Sequence, residues 1–552
     1  MKNICHNFYR TIIFNASALT YSLMKKKAIH MKFLNHSIGF CLLLTLLCYS
    51  CASDYLDTAP TNQVSPADLF KDEAYAAYAV SGLEKLMKTT YPTNKLDGVS
   101  FNGEGSVKLM YAEYQGADMY CPRNNFYTIF NGASHAIPTS SYTEYMWHYY
   151  YKVISNANAI INYVDPEGSH KFKYIYAQAL TYRAYCYLQL LQFYSPRWCD
   201  SQNGSADGVV LRLNTSSTGD CPLSSMLACY EQIYNDLNQA ITYYQASGIA
   251  RKEDENHKIN VNAAYATYAR AALTREDWST AAHYAALARA GYPLMNADEY
   301  FDGFSTVNRE WIWSIYDSEE ESLGNSSLAA RLAYNSSSTL VCTYPACINR
   351  ELYDALPESD IRRGLFLDPL EYTYNTGGIT NNGLGGSALT SYAQGLHPDL
   401  NTSAKIYAYM SFKFKCIDKV GAMPFNLFRS SEMYLIEAEA NCHLTPSKEA
   451  EARQLLKELI RDSGRDPQYT CDKSGQALLD EIKFYRRIEL WGEGFSWFDF
   501  KRRKDTIVRH TFEDGRNYMT NAAVTINPED ANNWMWVIPA KEYEYNNAIN
   551  KQ

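Results

Sequence analysis

Apolar positions recur three and four residues apart over most of residues 64–290, the spacing of helices that bury one face. Ile233, Leu237, Ala240 and Ile241 fall on one such stripe, and Ser224 and Ser225 just before it supply a capping hydroxyl. An amphipathic helix is therefore expected there. Residues 174–194 make a longer helix that ends at Ser195 and Pro196, because the proline ring disfavours helical geometry in the residue before it. Residues 261–290 carry more information. Ala263, Ala264, Ala266, Ala269, Ala271, Ala272 and Leu273 precede a polar break at 274–277, and Trp278, Ala281, Ala282, Ala285, Ala286 and Ala288 follow it. Small residues on both arms let two helix axes approach closely, as in a tetratricopeptide hairpin. Residues 432–443 with 448–462 predict a second pair of this kind.

The texture changes between residues 300 and 420, where Ser, Asn, Gly and Thr accumulate. Residues 375–387 alone hold five glycines and three asparagines. This stretch predicts loop-rich structure with short strands such as 311–315. The helical pattern returns after Arg429. The predicted fold is mainly α: a tetratricopeptide-like helical hairpin scaffold with a loop-rich insertion containing short strands. The expected limits are 1–50 for a signal region, 51–300 for the N-terminal scaffold, 301–425 for the insertion and 426–552 for the segment completing the same scaffold.

Composition sharpens this picture. The chain has 552 residues, 46% of them apolar, which excludes a disordered polymer. Tyr occurs 47 times against 22 Phe and 9 Trp, so most rings carry a polar tip. The net charge of −9 hides an asymmetry. Residues 1–50 hold Lys2, Arg10, Lys25, Lys26, Lys27 and Lys32 and no acid, so the remainder stands at −15. A body this acidic excludes a nucleic-acid partner, since phosphate binding needs a basic face. The run at residues 501–504 is the one short exception, and its four cations read as the end of a helix.

The basic N-terminus leads into Phe40, Cys41, Leu42, Leu43, Leu44, Leu46 and Leu47, an apolar run too short to span a bilayer. It reads as an export signal with an overextended start, Met24 or Met31 making a better first residue. Ser50 followed by Cys51 resembles a bacterial lipoprotein cleavage and lipidation site, although Cys48 and Tyr49 depart from its usual residues. Ten cysteines follow Cys51. Export permits disulfides, and Cys199 with Cys221 or Cys342 with Cys347 would close short loops.

Familiar catalytic patterns are missing. The 11 histidines form no HExxH or other close pair, and no GxSxG occurs. Gly383, Gly385 and Gly386 lack the Lys-Ser or Lys-Thr of a phosphate loop. Glu489 and Glu493 share a helix face at a separation a glycosidase could use, but Arg486 and Arg487 in the preceding turn are expected to hold them ionised as a structural cluster. No cofactor or metal site is indicated. What remains is a set of rings and amides in loops. Tyr120, Asn124, Asn125, Phe126 and Tyr127 form one cluster, and Tyr316, Arg331 and Tyr334, beside Asn335, form another. Sugars present apolar C–H faces rimmed by hydroxyls, which suits flat rings flanked by amides or an Arg fork.

Several separated segments together resemble the SusD/RagB family of outer-membrane nutrient-binding lipoproteins. They include residues 51–57 with Pro60; Trp147, Tyr151, Ile154, Asn158 and Ile161; residues 184–188 with Leu190 and Tyr194; and Tyr230, Ile233, Asp236, Leu237 and Ala240. The most specific lie in the last third: Arg429, Glu432 and Tyr434 through Ala440, then residues 486–494 (RRIELWGEG) with Trp497, Phe498 and Asp499, and finally Ile538, Pro539, Glu542 and Asn546. Ser496 and Asn547 depart from the family's usual Arg and Pro. The resemblance implies a lipid-anchored protein at the outer-membrane surface, held through Cys51. Such a protein captures oligosaccharide without catalysis and delivers it to a TonB-dependent SusC-like transporter. Peptide or other nutrient binding, a structural lid without its own ligand and, more remotely, a glycoside hydrolase are the alternatives. It implies ligand contacts in the loop before the Trp147 helix and in the insertion, where the two ring and amide clusters lie.

Overall fold

Each long helix of the first half begins where the sequence offers a side-chain acceptor to its unpaired first-turn N–H groups. In the computed structural model, Asp72 caps α1 (Glu73–Lys88), Ser140 caps α2 (Ser141–Tyr163) and Ser169 caps α3 (His170–Tyr194). Ser225, Asn260 and Asp277 do the same for α4 (Met226–Ser247), α5 (Val261–Thr274) and α6 (Trp278–Arg289). The described residues are 66–91, 101–121, 127–216, 219–316, 327–368, 386–417, 421–511, 513–530 and 534–549. Residues 1–69 form a unit of their own, of which the short helix Pro66–Leu69 is described; residues 70–552 form the other.

Within the larger unit α3 is buried on nearly every side, with α2 and α4 packed along it. A helix apolar all round needs neighbours all round. The alanine-rich α5 and α6 pack as the hairpin their small residues predict. After α6 the chain runs through strand β1 (Trp311–Ile315) into the insertion, which contains helix α7 (Gly386–Leu396) and returns along strand β2 (Phe425–Arg429). The strands pair antiparallel, Trp311 opposite Arg429 and Ile315 opposite Phe425, so the entrance and exit of the insertion are zipped together. Helix α8 (Ser430–His443) then packs against α6, and α9 (Glu449–Lys457) and α10 (Gly475–Glu489) pack against α8. The last long segment contains α11 (Ser496–Arg502).

Two details differ from expectation. The glycine-rich stretch leads into α7, because Leu389 and Ala393, one helical turn apart, are both fully buried. No disulfide joins the ten described cysteines, so neither short-loop pairing occurs.

The helix-borne tyrosines pack between helices while their hydroxyls reach polar groups. Tyr151 donates to the Val210 carbonyl at 2.7 Å, Tyr187 to Arg212 O at 2.7 Å, Tyr194 to Thr143 O at 2.9 Å and Tyr230 to Thr274 Oγ1 at 3.1 Å. A ring buries its apolar body, and the hydroxyl answers a carbonyl that water cannot reach.

Buried ion pairs tie the layers. Arg183 on α3 grips Asp236 on α4 through two bonds of 2.8 and 2.6 Å and also donates to Asn158 on α2. Arg270 on α5 grips Glu432 on α8 at 2.8 and 2.7 Å, and Arg289 on α6 reaches Glu437 on α8 at 2.8 Å. The basic run at 501–504 is absorbed the same way. Arg502 and Arg503 both pair with Glu439, Lys504 with Asp200, and buried Lys501 donates to the carbonyls of Gln192 and Ser195.

The largest cluster lies where β1, β2, the insertion and α10 meet. Glu489 accepts from Arg362 at 2.9 Å, Arg429 at 2.8 Å and Arg465 at 2.9 Å. Glu493 accepts from Arg429 at 2.7 Å and Lys413 at 2.6 Å. Arg429 also reaches Glu310, and Arg362 also reaches Asp360, both at 2.6 Å. Four cations and four acids are thus balanced within the protein interior. Burial raises a carboxyl's pKa, but Arg465, Arg429 and Arg362 outweigh it at Glu489 and hold that group well below the usual range. At Glu493 burial is likewise outweighed by Arg429 and Lys413, bringing it down to about 2. The acids are ionised as expected, but their partners are other than expected. Arg486 pairs with Asp499 at 2.5 Å and Arg487 with Asp118 at 2.5 Å, while the cations around Glu489 and Glu493 come from remote segments.

Breaking such a cluster strands buried charge, at a cost of roughly 3–5 kcal/mol. Glu489→Gln is expected to lose about that much in urea denaturation, while Glu437→Gln, in a pair whose side chains are 24% and 16% exposed, loses less, about 1 kcal/mol. The depressed pKa of Glu493 adds a pH dependence. Its contribution is complete above the ordinary value of 4.5 and is lost as pH falls toward about 2. Melting temperature measured between pH 7 and pH 2.5 should therefore fall below about pH 4.5, with a shallower acid slope in Glu493→Gln.

Candidate functional site

Helix ends expose backbone groups and side chains together, and a wide cleft lies at three of them. It occupies about 1280 Å³ between the C-terminus of α4, the N-terminus of α5, the C-terminus of α6, the 305–309 loop, Tyr316 just past β1 and the insertion residues Ile417 and Pro424. Gly248 ends α4 in the left-handed conformation that glycine adopts without strain, turning the chain into the 249–259 segment that forms one wall. Four tyrosines and five amide side chains face the space.

Their positions are set by hydrogen bonds. Arg251 donates to the carbonyls of Ile312 at 2.7 Å and Lys258 at 2.9 Å and to the Tyr292 hydroxyl at 2.6 Å, pinning the segment after α4 to β1 and to the turn after α6. Asn260 caps α5 and also donates to the Tyr292 hydroxyl at 3.1 Å. Asn262 donates to the α6 C-terminal carbonyls of Leu287, Ala288 and Ala290 at 3.2–3.3 Å. Tyr316 donates to the Asp254 carbonyl at 3.1 Å, its ring lies 4.6 Å from that of His257, and its own carbonyl accepts from Lys88 on α1 at 2.7 Å. Tyr265 stacks on Tyr284 at 5.8 Å. Burial raises the Tyr316 hydroxyl and lowers the His257 imidazole, so both are neutral near pH 7. The Oδ1 of buried Asn256 accepts no hydrogen bond from the protein, while its amide donates to Trp311 O at 2.6 Å.

Such a lining offers flat rings and amide dipoles beside the charged Arg251, Lys252, Glu253, Asp254 and Arg309, and a cleft of this kind can hold a ligand. Glu489 and Glu493 lie elsewhere, in the ion cluster, and their depressed pKa values are the reverse of what a glycosidase acid requires. Among the described residues no group of three or more His, Cys, Asp or Glu could hold a metal ion, and no helix is long and apolar enough to cross a membrane.

Of the described residues singled out from sequence, Tyr316 alone lines this cleft. Tyr120 is buried in a short strand against Cys347, with its ring edge-on to Tyr518 at 5.3 Å, so its faces are already packed. Tyr334 is also buried, its hydroxyl donating to Asp399 at 2.9 Å and its ring set against His397 and Phe412. Arg331 lies half-buried in the helix Ala329–Leu332, where its charge opposes the burial that raises Tyr114 and Cys121. Asn124, Asn125 and Phe126 lie outside the described residues, as does the side chain of Tyr127, whose backbone opens the helix Tyr127–Phe130. Cys51 is outside them too. Arg251, Asn260, Tyr265 and Tyr292 went unrecognised in sequence because each sits at a helix end. The one local signal was a turn sequence, Gly291-Tyr292-Pro293, closing the alanine hairpin.

Two family models match the chain. One described as "SusD family" covers residues 385–550, and one described as "Starch-binding associating with outer membrane" covers residues 54–273. No curated protein matches the sequence. Among solved structures, a SusD-like carbohydrate binding protein from Bacteroides vulgatus is 21% identical with a TM-score of 0.67, covering 87% of this chain and 97% of its own. A SusD superfamily protein from Bacteroides thetaiotaomicron is 20% identical (TM-score 0.66; 87% and 99%), and another from Bacteroides fragilis is 20% identical (TM-score 0.65; 88% and 100%). At these identities the likeness shows the fold. One family model matches residues 54–273 and the other, which begins inside the insertion, residues 385–550; together they make this a SusD-like family protein.

Proposed function

We propose that this protein captures oligosaccharide at the outer-membrane surface without cleaving it and delivers it to a SusC-like TonB-dependent transporter. The observation that carries the reading is the cleft of about 1280 Å³ lined by tyrosine rings and amides, in a chain whose N-terminal family model is described as starch-binding and associating with the outer membrane. The space exceeds the roughly 300–1,000 Å³ of a small-molecule pocket, which suits several linked sugar units. Rings and amides suit the C–H faces and hydroxyls of a sugar. Absence of catalysis is supported by the two acids of the earlier glycosidase alternative being bound into the ion cluster. Anchoring through a lipid on Cys51 and contacts from Asn124, Asn125, Phe126 and Tyr127 are further parts of the proposal.

Titration calorimetry of the purified protein against starch, xylan, mannan and pectin oligosaccharides should find a ligand that binds, with no new reducing ends after prolonged incubation. Tyr265→Ala with Tyr316→Ala is expected to weaken that ligand about tenfold or more, since each ring contributes its stack and its buried area. Unchanged affinity would remove the cleft from the reading, and the same result for Phe126→Ala with Tyr127→Ala would remove the second loop. Fractionation tests the anchor separately: Cys51→Ala should move the protein out of the membrane fraction.

A further inference from the structure

The cleft has a second character that hydroxylated sugar alone leaves unexplained. Ile249 and Ile417 both line it, yet they are 40% and 58% exposed. Large apolar side chains at the rim of a cleft are held in water at a cost that a ligand with apolar surface removes. They come from separate parts of the fold, Ile249 just past α4 and Ile417 from the insertion. Val307, Pro293 and Pro424 extend the same apolar surface.

The polar groups of the lining are largely engaged already. Arg251, Asn260 and Asn262 hold backbone carbonyls, the α5 cap and Tyr292, and Arg309 pairs with Glu299 at 2.8 Å. Lys252, Glu253 and Asp254 are exposed to solvent. A glycan's hydroxyls can bond to Asn256 Oδ1, to the exposed Lys252, Glu253 and Asp254 and to solvent, but hydroxyls do not cover the apolar rim; an apolar substituent does.

Building on the capture reading above, we infer that the cleft selects glycans carrying an apolar substituent, an O-acyl or aryl-ester group, which packs against Ile249 and Ile417. The sugar ring then stacks on the tyrosines, and the ester group covers the apolar rim. Selection arises because the substituent loses water-exposed apolar surface on binding and the unsubstituted sugar does not.

The test uses matched probes: O-acetylated and feruloylated oligosaccharides from xylan, mannan and pectin, each beside its alkali-de-esterified counterpart, titrated into the full chain. At least one ester-bearing member should bind about tenfold more tightly than its counterpart. Ile249→Ser with Ile417→Ser should bring that ratio to within twofold while leaving the melting temperature unchanged, because both side chains are exposed. Equal affinity within every bound pair would overturn the inference and leave glycan capture standing. Binding of no member would overturn both. Competition by apolar peptides from a casein digest would overturn it in favour of a peptide ligand.

Discussion

Glu489 sits among three guanidinium groups drawn from positions 362, 429 and 465, with its carboxylate at 2.8–2.9 Å from each and no exposure to solvent. The remaining architecture around the insertion depends on this arrangement. A lone buried charge is prohibitive, so the chain can reach its native state only when segments more than 100 residues apart arrive together. Arg362 and Lys413 belong to the insertion, Arg429 to the end of β2, and Glu310 to the approach to β1. Their joint demand holds the insertion at one place on the helical scaffold. Gly492, between the two acids at φ 78°, shows how tight the packing is: a Cβ there would lie 2.6 Å from the Phe414 ring.

The helical layers use smaller versions of the same device. Arg183–Asp236, Arg270–Glu432, Arg289–Glu437 and the Glu439 pairs each join helices from different hairpins. Hydrophobic burial supplies most of the driving force, but it is non-directional, and helices rich in alanine could slide along one another. Paired charges fix the register. Where the helices end, the register sets the spacing of α4, α5 and α6, and that spacing opens the cleft. A ligand site at helix ends is therefore a by-product of scaffold geometry, and its chemistry comes from the connecting segments.

Much of the scaffold could be read from the chain. The cap at Ser225, the alanine hairpin, the stop at Ser195 and Pro196 and the strand Trp311–Ile315 are local features, decided by propensity, capping and period. Helix α7 was hidden because five glycines nearby outweighed the short Leu389–Ala393 stripe. The ion cluster was half legible. Glu489 and Glu493 do belong to one cluster, but α10 ends at Glu489 and Glu493 lies in the turn beyond it, so Arg429 joins them and not a shared helix face; the local guess of Arg486 and Arg487 as partners also failed, since those side chains turn toward Asp499 and Asp118.

The binding surface followed the opposite rule. Tyr120 and Tyr334 had the composition of a sugar platform but lie in the core, whereas Tyr292 and Arg251 looked like ordinary connector residues and stand in the cleft. Sequence alone determined the helical class, the hairpins and the family, because each rests on near-neighbour periodicity or on ordered motifs. Which cation neutralises which acid, which ring keeps a face open and where α4, α5, α6 and the insertion leave a space were decided only by tertiary structure. These depend on distances between residues far apart in the chain, and burial cannot be assigned before those distances exist.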